Sequence, residues 1–337
     1  MRNLMRFLKN SRNAFLAFAA AALMQSCIHE YPVMTSSSGI GERPGEVVGY
    51  IELSYDLSWE EMIHTIYFST KAASGKTHRF VVEVEKDGVE ILHDVVLIDD
   101  NEFATGKLRR KLSQPLKAER YEIAAWYDRI DENDNAFFNA DNLRKIRITN
   151  TSTVESRAFD CGYCSDELDL RSFGNEKKTV ETVKTMELQL SCGRFELVAT
   201  DVQQFITEQK EALNQDDKFT VFIEFPDEAK DVFNAFSGSC SRSGDNYSLS
   251  GRMRLPFADY DELSIAQGLV FCKGEENIRI KLSVKNSALS TVSQTEIFSI
   301  PVRTGFNTIV KGEFLVNPLD GFFNINHIWE DEIYYEI

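Results

Sequence analysis

Apolar and polar residues alternate with a period of two through much of the chain. Ile278, Ile280, Leu282 and Val284 are interleaved with Arg279, Lys281, Ser283 and Lys285, and the same alternation runs through Phe219, Val221, Ile223 and Phe225. It recurs in Tyr247, Leu249, Met253 and Leu255. Successive side chains of a strand point to opposite faces, so this pattern predicts half-buried strands with one face wet. Shorter stretches of the same character are 47–55, 80–85, 91–97 and 121–127. One stretch changes phase. Met186, Leu188, Leu190 and Cys192 are apolar on even positions, whereas Phe195, Leu197 and Ala199 are apolar on odd ones. A slip of one residue turns every following side chain to the other face. Gly193 lies at the slip, which predicts a β-bulge or a strand break there.

Two stretches carry helical spacing instead. Asp201 is placed to cap a helix with Gln204 reaching back, ahead of Val202, Phe205, Ile206 and Leu213. Ala229, Val232, Phe233 and Phe236 fall at i, i+3, i+4 and i+7, with Gly238 beyond the end. The acid- and lysine-rich segment 166–184 separates two strand-rich halves and puts a boundary near residue 180. No internal period of about 20 to 50 residues is present, which excludes solenoids and propellers. The length exceeds what one core usually serves. The expected fold is therefore all-β, two β-sandwich domains at residues 46–180 and 181–337 with short helical insertions.

The first 26 residues have a different character. Arg2, Arg6, Lys9 and Arg12 precede the apolar block Ala14–Met24, with no acid among them. That block is too short for a bilayer, which needs roughly 20 residues, and reads as a secretory signal. Ser26 and Cys27 follow Leu23 and Met24, an arrangement that resembles a bacterial lipobox. Cys27 is the expected lipidation site and mature N-terminus, with residues 27–45 as a Ser-, Gly- and Pro-containing tether. The expected location is the outer membrane, held by the N-terminal lipid and exposed at the surface.

Charge narrows the partners. The formal net charge is −16, and removal of residues 1–26 takes four basic groups and no acid, leaving −20. So acidic a chain will not track a phosphate backbone or adhere to anionic lipid, so no nucleic-acid partner is expected. Of the six cysteines, Cys192 and Cys272 lie in apolar runs and read as buried thiols. Cys161 and Cys164 have C-x-x-C spacing without a βαβ context, which leaves a loop disulfide or two idle thiols. Cys240 falls in a polar loop and is the candidate unpaired cysteine.

Catalytic and metal chemistry find little footing. The histidines are His29, His64, His78, His93 and His327, none at metal-binding spacing from another, and G-x-S-x-G is absent. His93 and Asp94 are neighbours in a strand stretch and so face opposite ways. The 128–134 stretch, with Asp128, Asp131 and Asp134, offers oxygens for calcium, but Ala136 and Asn142 stand where an EF-hand loop needs glycine and glutamate. No catalytic residue, cofactor or metal site is expected, and the chain reads as a non-enzyme. Trp329, Tyr334 and Tyr335 near the C-terminus could be core, could cover a sheet edge, or could contact a partner.

Three stretches carry a resemblance. "YEIAAWYDRIDENDNAFFNADNLRKIRI" (121–148), "MELQLSCGRFELVATDVQQFI" (186–206) and "SIPVRTGFNTIVKGEFL" (299–315) are similar to segments of Bacteroidales lipoproteins of the fimbrillin superfamily, type V pilin-like proteins, in a branch known only as a domain of unknown function. In the third, Thr304-Gly305 reads as a hairpin turn between two strands. The resemblance implies two transthyretin-like sandwiches in a lipid-anchored cell-envelope protein, akin to fimbrial anchor, tip or adhesin subunits. Its partners would be other pilus subunits joined by strand addition, or a host or bacterial surface ligand. Pilins of this superfamily can be matured by cleavage after an N-terminal arginine. Here the tether offers only Arg43, followed by Pro44, which argues against a polymerising stalk subunit. The alternative is a stand-alone surface lipoprotein that binds a glycan or protein ligand without polymerising.

Overall fold

Each of the alternating stretches forms a strand in the computed structural model, which describes residues 45–55, 77–130, 137–149, 161–209, 219–227, 229–244, 248–253, 261–316 and 335–336. The first half contains β1 (Glu46–Tyr55), β2 (Thr77–Lys86), β3 (Val89–Ile98), a one-turn helix α1 (Asp100–Phe103), β4 (Lys107–Lys111), β5 (Leu116–Lys117) and β6 (Arg120–Ile130). It continues with β7 (Phe138–Asn139), β8 (Ile146–Ile148), β9 (Cys161–Asp169) and β10 (Val180–Leu190). The second half contains β11 (Cys192–Ala199), α2 (Val202–Glu208), β12 (Phe219–Glu224), β13 (Val232–Asn234), β14 (Ser239–Ser241) and β15 (Ser248–Met253). After these come β16 (Leu263–Phe271), β17 (Glu275–Lys285), β18 (Thr291–Gln294), β19 (Phe298–Arg303), β20 (Asn307–Gly312) and β21 (Tyr335–Glu336). The protein is all-β, with short helices as minor elements.

The two halves repeat one strand order. In the first, β4-β1-β10 and β9-β6-β2-β3 face each other across a core of Leu53, Phe80, Ile123, Tyr127 and Leu188. In the second, β16-β11-β20 and β19-β17-β12-β15 do the same around Leu197, Val221, Leu282, Ile300 and Val310. Each half opens with a strand that pairs in parallel with its late strand: β1 with β10, and β11 with β20. The repeat is in topology rather than in residue spacing, so the sequence shows no period.

Small insertions join the halves. The β7–β8 hairpin follows β6, and the β13–β14 hairpin follows β12. The two pair through Val232↔Arg147 and Phe233↔Ile146, making one four-stranded sheet from both halves. This sheet covers the outer face of β2 and β6. Beneath it lies a third apolar cluster containing Trp126, Phe137, Phe138, Phe233, Leu269 and Phe271.

Several expectations need correction. Residues 229–236 form no helix. Phe233 packs at 5.9 Å from Trp126 and 5.3 Å from Phe271, and this burial favours strand pairing over the local helical spacing. The acid-rich segment 166–184 is not linker throughout: it holds the end of β9, which runs to Asp169, a ten-residue connection, and the start of β10 at Val180 alongside β1. Helix α2 forms where expected, but Asp201 does not cap it. Its Oδ2 accepts hydrogen bonds from the Leu315 and Val316 amides at 2.8 and 2.6 Å. Thr304-Gly305 does form a turn, yet β19 and β20 pair with different neighbours, β17 and β11. The strand break does fall where the apolar phase slips. β10 ends at Leu190 in one sheet, and β11 starts at Cys192 in another.

Gly193 has a second reason to be glycine. A Cβ there would lie 2.8 Å from the Arg303 carbonyl oxygen, which is backbone and cannot turn away. Gly193→Ala is expected to lower stability by about 1–3 kcal/mol, read as a lower denaturation midpoint in urea with an unchanged slope.

Candidate functional site: the edge strand β3

The β2–β3 hairpin turns at Asp87-Gly88, both at positive φ (53° and 75°), the primed turn that matches strand twist. Its ladder runs from His78↔Ile98 to Lys86↔Val89, with a register shift between Val84 and Glu85 that leaves Ile91 as the extra residue. β3 is the last strand of its sheet, and among the described residues no strand pairs with its outer side. Val89, Ile91, Val95 and Leu97 on this edge are 63, 38, 46 and 51% exposed.

The exposed row continues a buried one. Val81 stands opposite both Trp126 on β6 and Val95 on β3. Trp126 and Val81 are buried, and the row reaches solvent at Val95. Native edges are usually blunted by charge, proline or a covering element. Here the cover is local. Gln114 Nε2 donates to the Ile91 carbonyl at 2.7 Å, and the Ser113 amide donates to Asp94 Oδ2 at 2.9 Å. The contiguous apolar run Val95-Val96-Leu97-Ile98 was the sequence signal for this edge, but alternation alone does not say which strand of a sheet lies outermost.

Charged groups fix the hairpin from both faces. Arg79 makes two hydrogen bonds to Asp128 at 2.8 and 2.5 Å and a third to the Phe138 carbonyl at 2.9 Å, tying β7 to the sheet. Burial pushes the Asp128 carboxyl upward, and the Arg79 guanidinium opposes it. Asp128 therefore serves an internal ion pair rather than a calcium loop; Asp131 and Asp134 lie outside the described residues. On the opposite face His78 bridges the Tyr127 hydroxyl and Asp100, each at 2.8 Å, and stacks on Phe103, which anchors α1.

The register shift also assembles Glu83, Glu90 and His93, whose ligand atoms lie within 4.8 Å of one another. Glu83 faces His93 across the ladder, and the shift brings Glu90 opposite Glu85, hence onto the same face. These residues could hold a metal, although Glu83 and His93 already form an ion pair at 3.4 Å and Glu83 accepts from the Leu143 amide. Sequence spacing missed the group because the hairpin, not helical proximity, joins it. The Glu83 bond raises the pKa of His93, against burial. For Glu83, burial acts upward, but His93, the Leu143 amide and Glu85 together leave its pKa below the usual value.

The His93 contribution is complete below its ordinary pKa of 6.5 and is lost as pH rises through the raised folded value. The Glu83 contribution is present above its ordinary 4.5 and is lost as pH falls through the lowered one. Stability should therefore decline as pH rises above the ordinary histidine value of 6.5, modestly because His93 is partly solvated. Urea titrations of His93→Gln should lack this decline.

Beside the hairpin, Arg144 binds Glu85 and Glu122 and lies 4.4 Å over the Phe236 ring. An open groove of about 760 Å³ runs past Phe236, Tyr121, Glu119, Arg120, Asp166 and Arg171. Of the residues singled out by sequence, Cys27, Trp329 and Tyr334 lie outside the described residues. Tyr335 belongs to β21, which pairs in parallel with the edge of β20 through Val310↔Tyr335. Tyr335 therefore sits in the sheet of β16, β11 and β20 rather than beside β3. No helix among the described residues is long and apolar enough to cross a membrane.

The fold and edge define a class, that of two-layer β proteins that present an open apolar strand. Residues 44–337 match a family of unknown function, DUF6562, and the chain belongs to that family. Among curated proteins none matches the sequence. Solved structures similar to it include a candidate adhesin from Bacteroides ovatus, at 14% identity over 75% of this chain and 78% of that one, with a TM-score of 0.38. The fimbrial anchor protein Mfa2 from Porphyromonas gingivalis is 12% identical over 74% and 82%, with a TM-score of 0.36. A fimbrial assembly protein from Parabacteroides distasonis is 10% identical over 79% and 90%, with a TM-score of 0.29.

Proposed function

We propose that this chain is a lipid-anchored, non-enzymatic protein of the outer membrane surface that acts in pilus assembly or adhesion by accepting a strand from another subunit at β3. The observation that carries this is the apolar row that leaves the buried Trp126–Val81 pair and ends in solvent at Val95 and Leu97. An extended apolar segment laid along β3 would satisfy its open backbone groups and bury that row at once. The occupant is a strand of another envelope subunit. Cys27 carries the lipid in this reading, and the chain divides near residue 180 into two transthyretin-like sandwiches, a division supported by the strand order that repeats in the second half.

The test is an SDS gel of unboiled and boiled outer-membrane fractions. A ladder that collapses to monomer on boiling is expected, as strand-added assemblies are held by many backbone hydrogen bonds. The double variant Val95→Lys/Leu97→Lys should lose the ladder while keeping stability within about 0.5 kcal/mol, since both sites are exposed. Monomer in every lane would overturn assembly. It would favour the second reading, a stand-alone binder using the charged groove beside Phe236.

A further inference from the structure

The sulfurs of Cys161 and Cys192 lie 3.1 Å apart, and both residues are fully buried. The ladder explains the meeting. Tyr163 pairs with Gln189 and Gly162 with Leu190, so Cys161 comes opposite Ser191, where the chain leaves β10. The Ser191 hydroxyl lies 3.3 Å from the Cys161 sulfur. As the chain turns into β11, Cys192 enters the cluster that holds Cys161, Trp126 and Phe271. We propose that Cys161 and Cys192 are joined by a disulfide in the mature protein, fastening β9 of the first half to the opening strand of the second.

The other described cysteines have different surroundings. Cys164, three residues along β9, projects from the opposite face into the first core, so the C-x-x-C spacing does not define the pair. The Cys272 sulfur lies 3.4 Å from the Thr304 hydroxyl, and Cys240 is half-buried. Burial pushes the thiols of Cys164 and Cys240 up to about 12 and that of Cys272 to about 11, which keeps them poorly reactive.

The chemistry balances with an external disulfide as oxidant, either a small-molecule disulfide or a protein dithiol in its oxidised form. One cysteine thiolate attacks it, giving a mixed disulfide and releasing one thiol. The second cysteine thiolate then displaces the remaining half, so two protein thiols become one S–S bond and the oxidant leaves as two thiols. Burial also raises the Cys192 thiol well above its ordinary value, so the exchange belongs to folding, before the cluster closes. An oxidising compartment follows from the export reading, whereas pairing of the two cysteines in a redox buffer is independent of it.

The full chain is unfolded, refolded in glutathione redox buffer, alkylated, digested without reduction and mapped by mass spectrometry. A linked peptide pair containing Cys161 and Cys192 is the expected result. Alkylation of both, or linkage of either to another cysteine, overturns the proposal. Closing a loop between residues 31 apart should lower the unfolding equilibrium constant on the order of several hundred-fold. Reductant should remove that gain from the native sequence and leave Cys161→Ala/Cys192→Ala unaffected; equal sensitivity of the two would overturn the link. The peptide map needs no variant, so it decides the question even where the double alanine chain folds poorly.

Discussion

Trp126→Ala is expected to lower stability by about 3–5 kcal/mol, among the largest effects of any single substitution in the chain. The indole is completely buried at the centre of the cluster that both halves share, with Phe138 at 5.3 Å, Phe233 at 5.9 Å and Phe271 at 6.3 Å. Phe138 comes from the first half, and Phe233 and Phe271 come from the second. Removal of the ring leaves a cavity between strands that are paired elsewhere and cannot collapse freely into it. The loss should therefore fall on the junction first. Hydrogen exchange is expected to quicken in β7, β8, β13 and β14 before it quickens in β1 or β12. Trp126→Phe should recover part of the loss, since a ring remains. Uniform acceleration across both halves would show that the junction is no weaker than the two cores.

Asp128→Ala should cost a similar amount, about 3–5 kcal/mol, for an electrostatic reason. Arg79 is largely buried and directs two hydrogen bonds to this carboxylate and one to the Phe138 carbonyl. Without Asp128 the guanidinium keeps its charge and loses its counter-charge in a poorly solvated place. Replacing both partners with apolar residues of similar volume, Arg79→Met/Asp128→Leu, should restore most of the stability, because no charge is then stranded. A denaturation series over the two single variants and the double variant gives the coupling energy. If the double variant were as unstable as the sum of the singles, the pair would be acting through packing instead.

Both effects bear on function through the same hairpin. Arg79 and Val81 on β2 hold β7 and Trp126 on one side, and β3 hangs from their other side with its apolar row exposed. A strand added at β3 would extend a sheet already made rigid by the junction cluster. The opposite edge of the second half is treated differently. β20 pairs over two residues with the chain's own β21, and β16 ends the same sheet with β11 as its one strand partner among the described residues.

The sequence by itself determined the all-β character and the position of most strands. Alternation in 278–284, 219–225 and 47–55 reports which residues share a face, and that is a local property of the extended chain. It also located the strand break at the Leu190–Gly193 phase slip, because a change of face must show as a change of parity. The helix expected at 229–236 failed for the converse reason. Four apolar residues at helical spacing are equally served by a short strand and turn when Phe233 can bury against Trp126 and Phe271, and those residues are more than thirty positions away in either direction. Tertiary structure alone decided which strands became neighbours. Parallel pairing of β1 with β10 and of β11 with β20, the repeated strand order, and the sheet shared by β8 and β13 all join distant segments, and no local pattern encodes a partner. The same holds for the sites. Glu83 meets His93 only across a ladder shifted by one residue, Cys161 meets Cys192 rather than Cys164, and Val95 is exposed only because β3 is outermost. Residue type gave the chemistry available; the order of strands in the sheets decided which groups could use it.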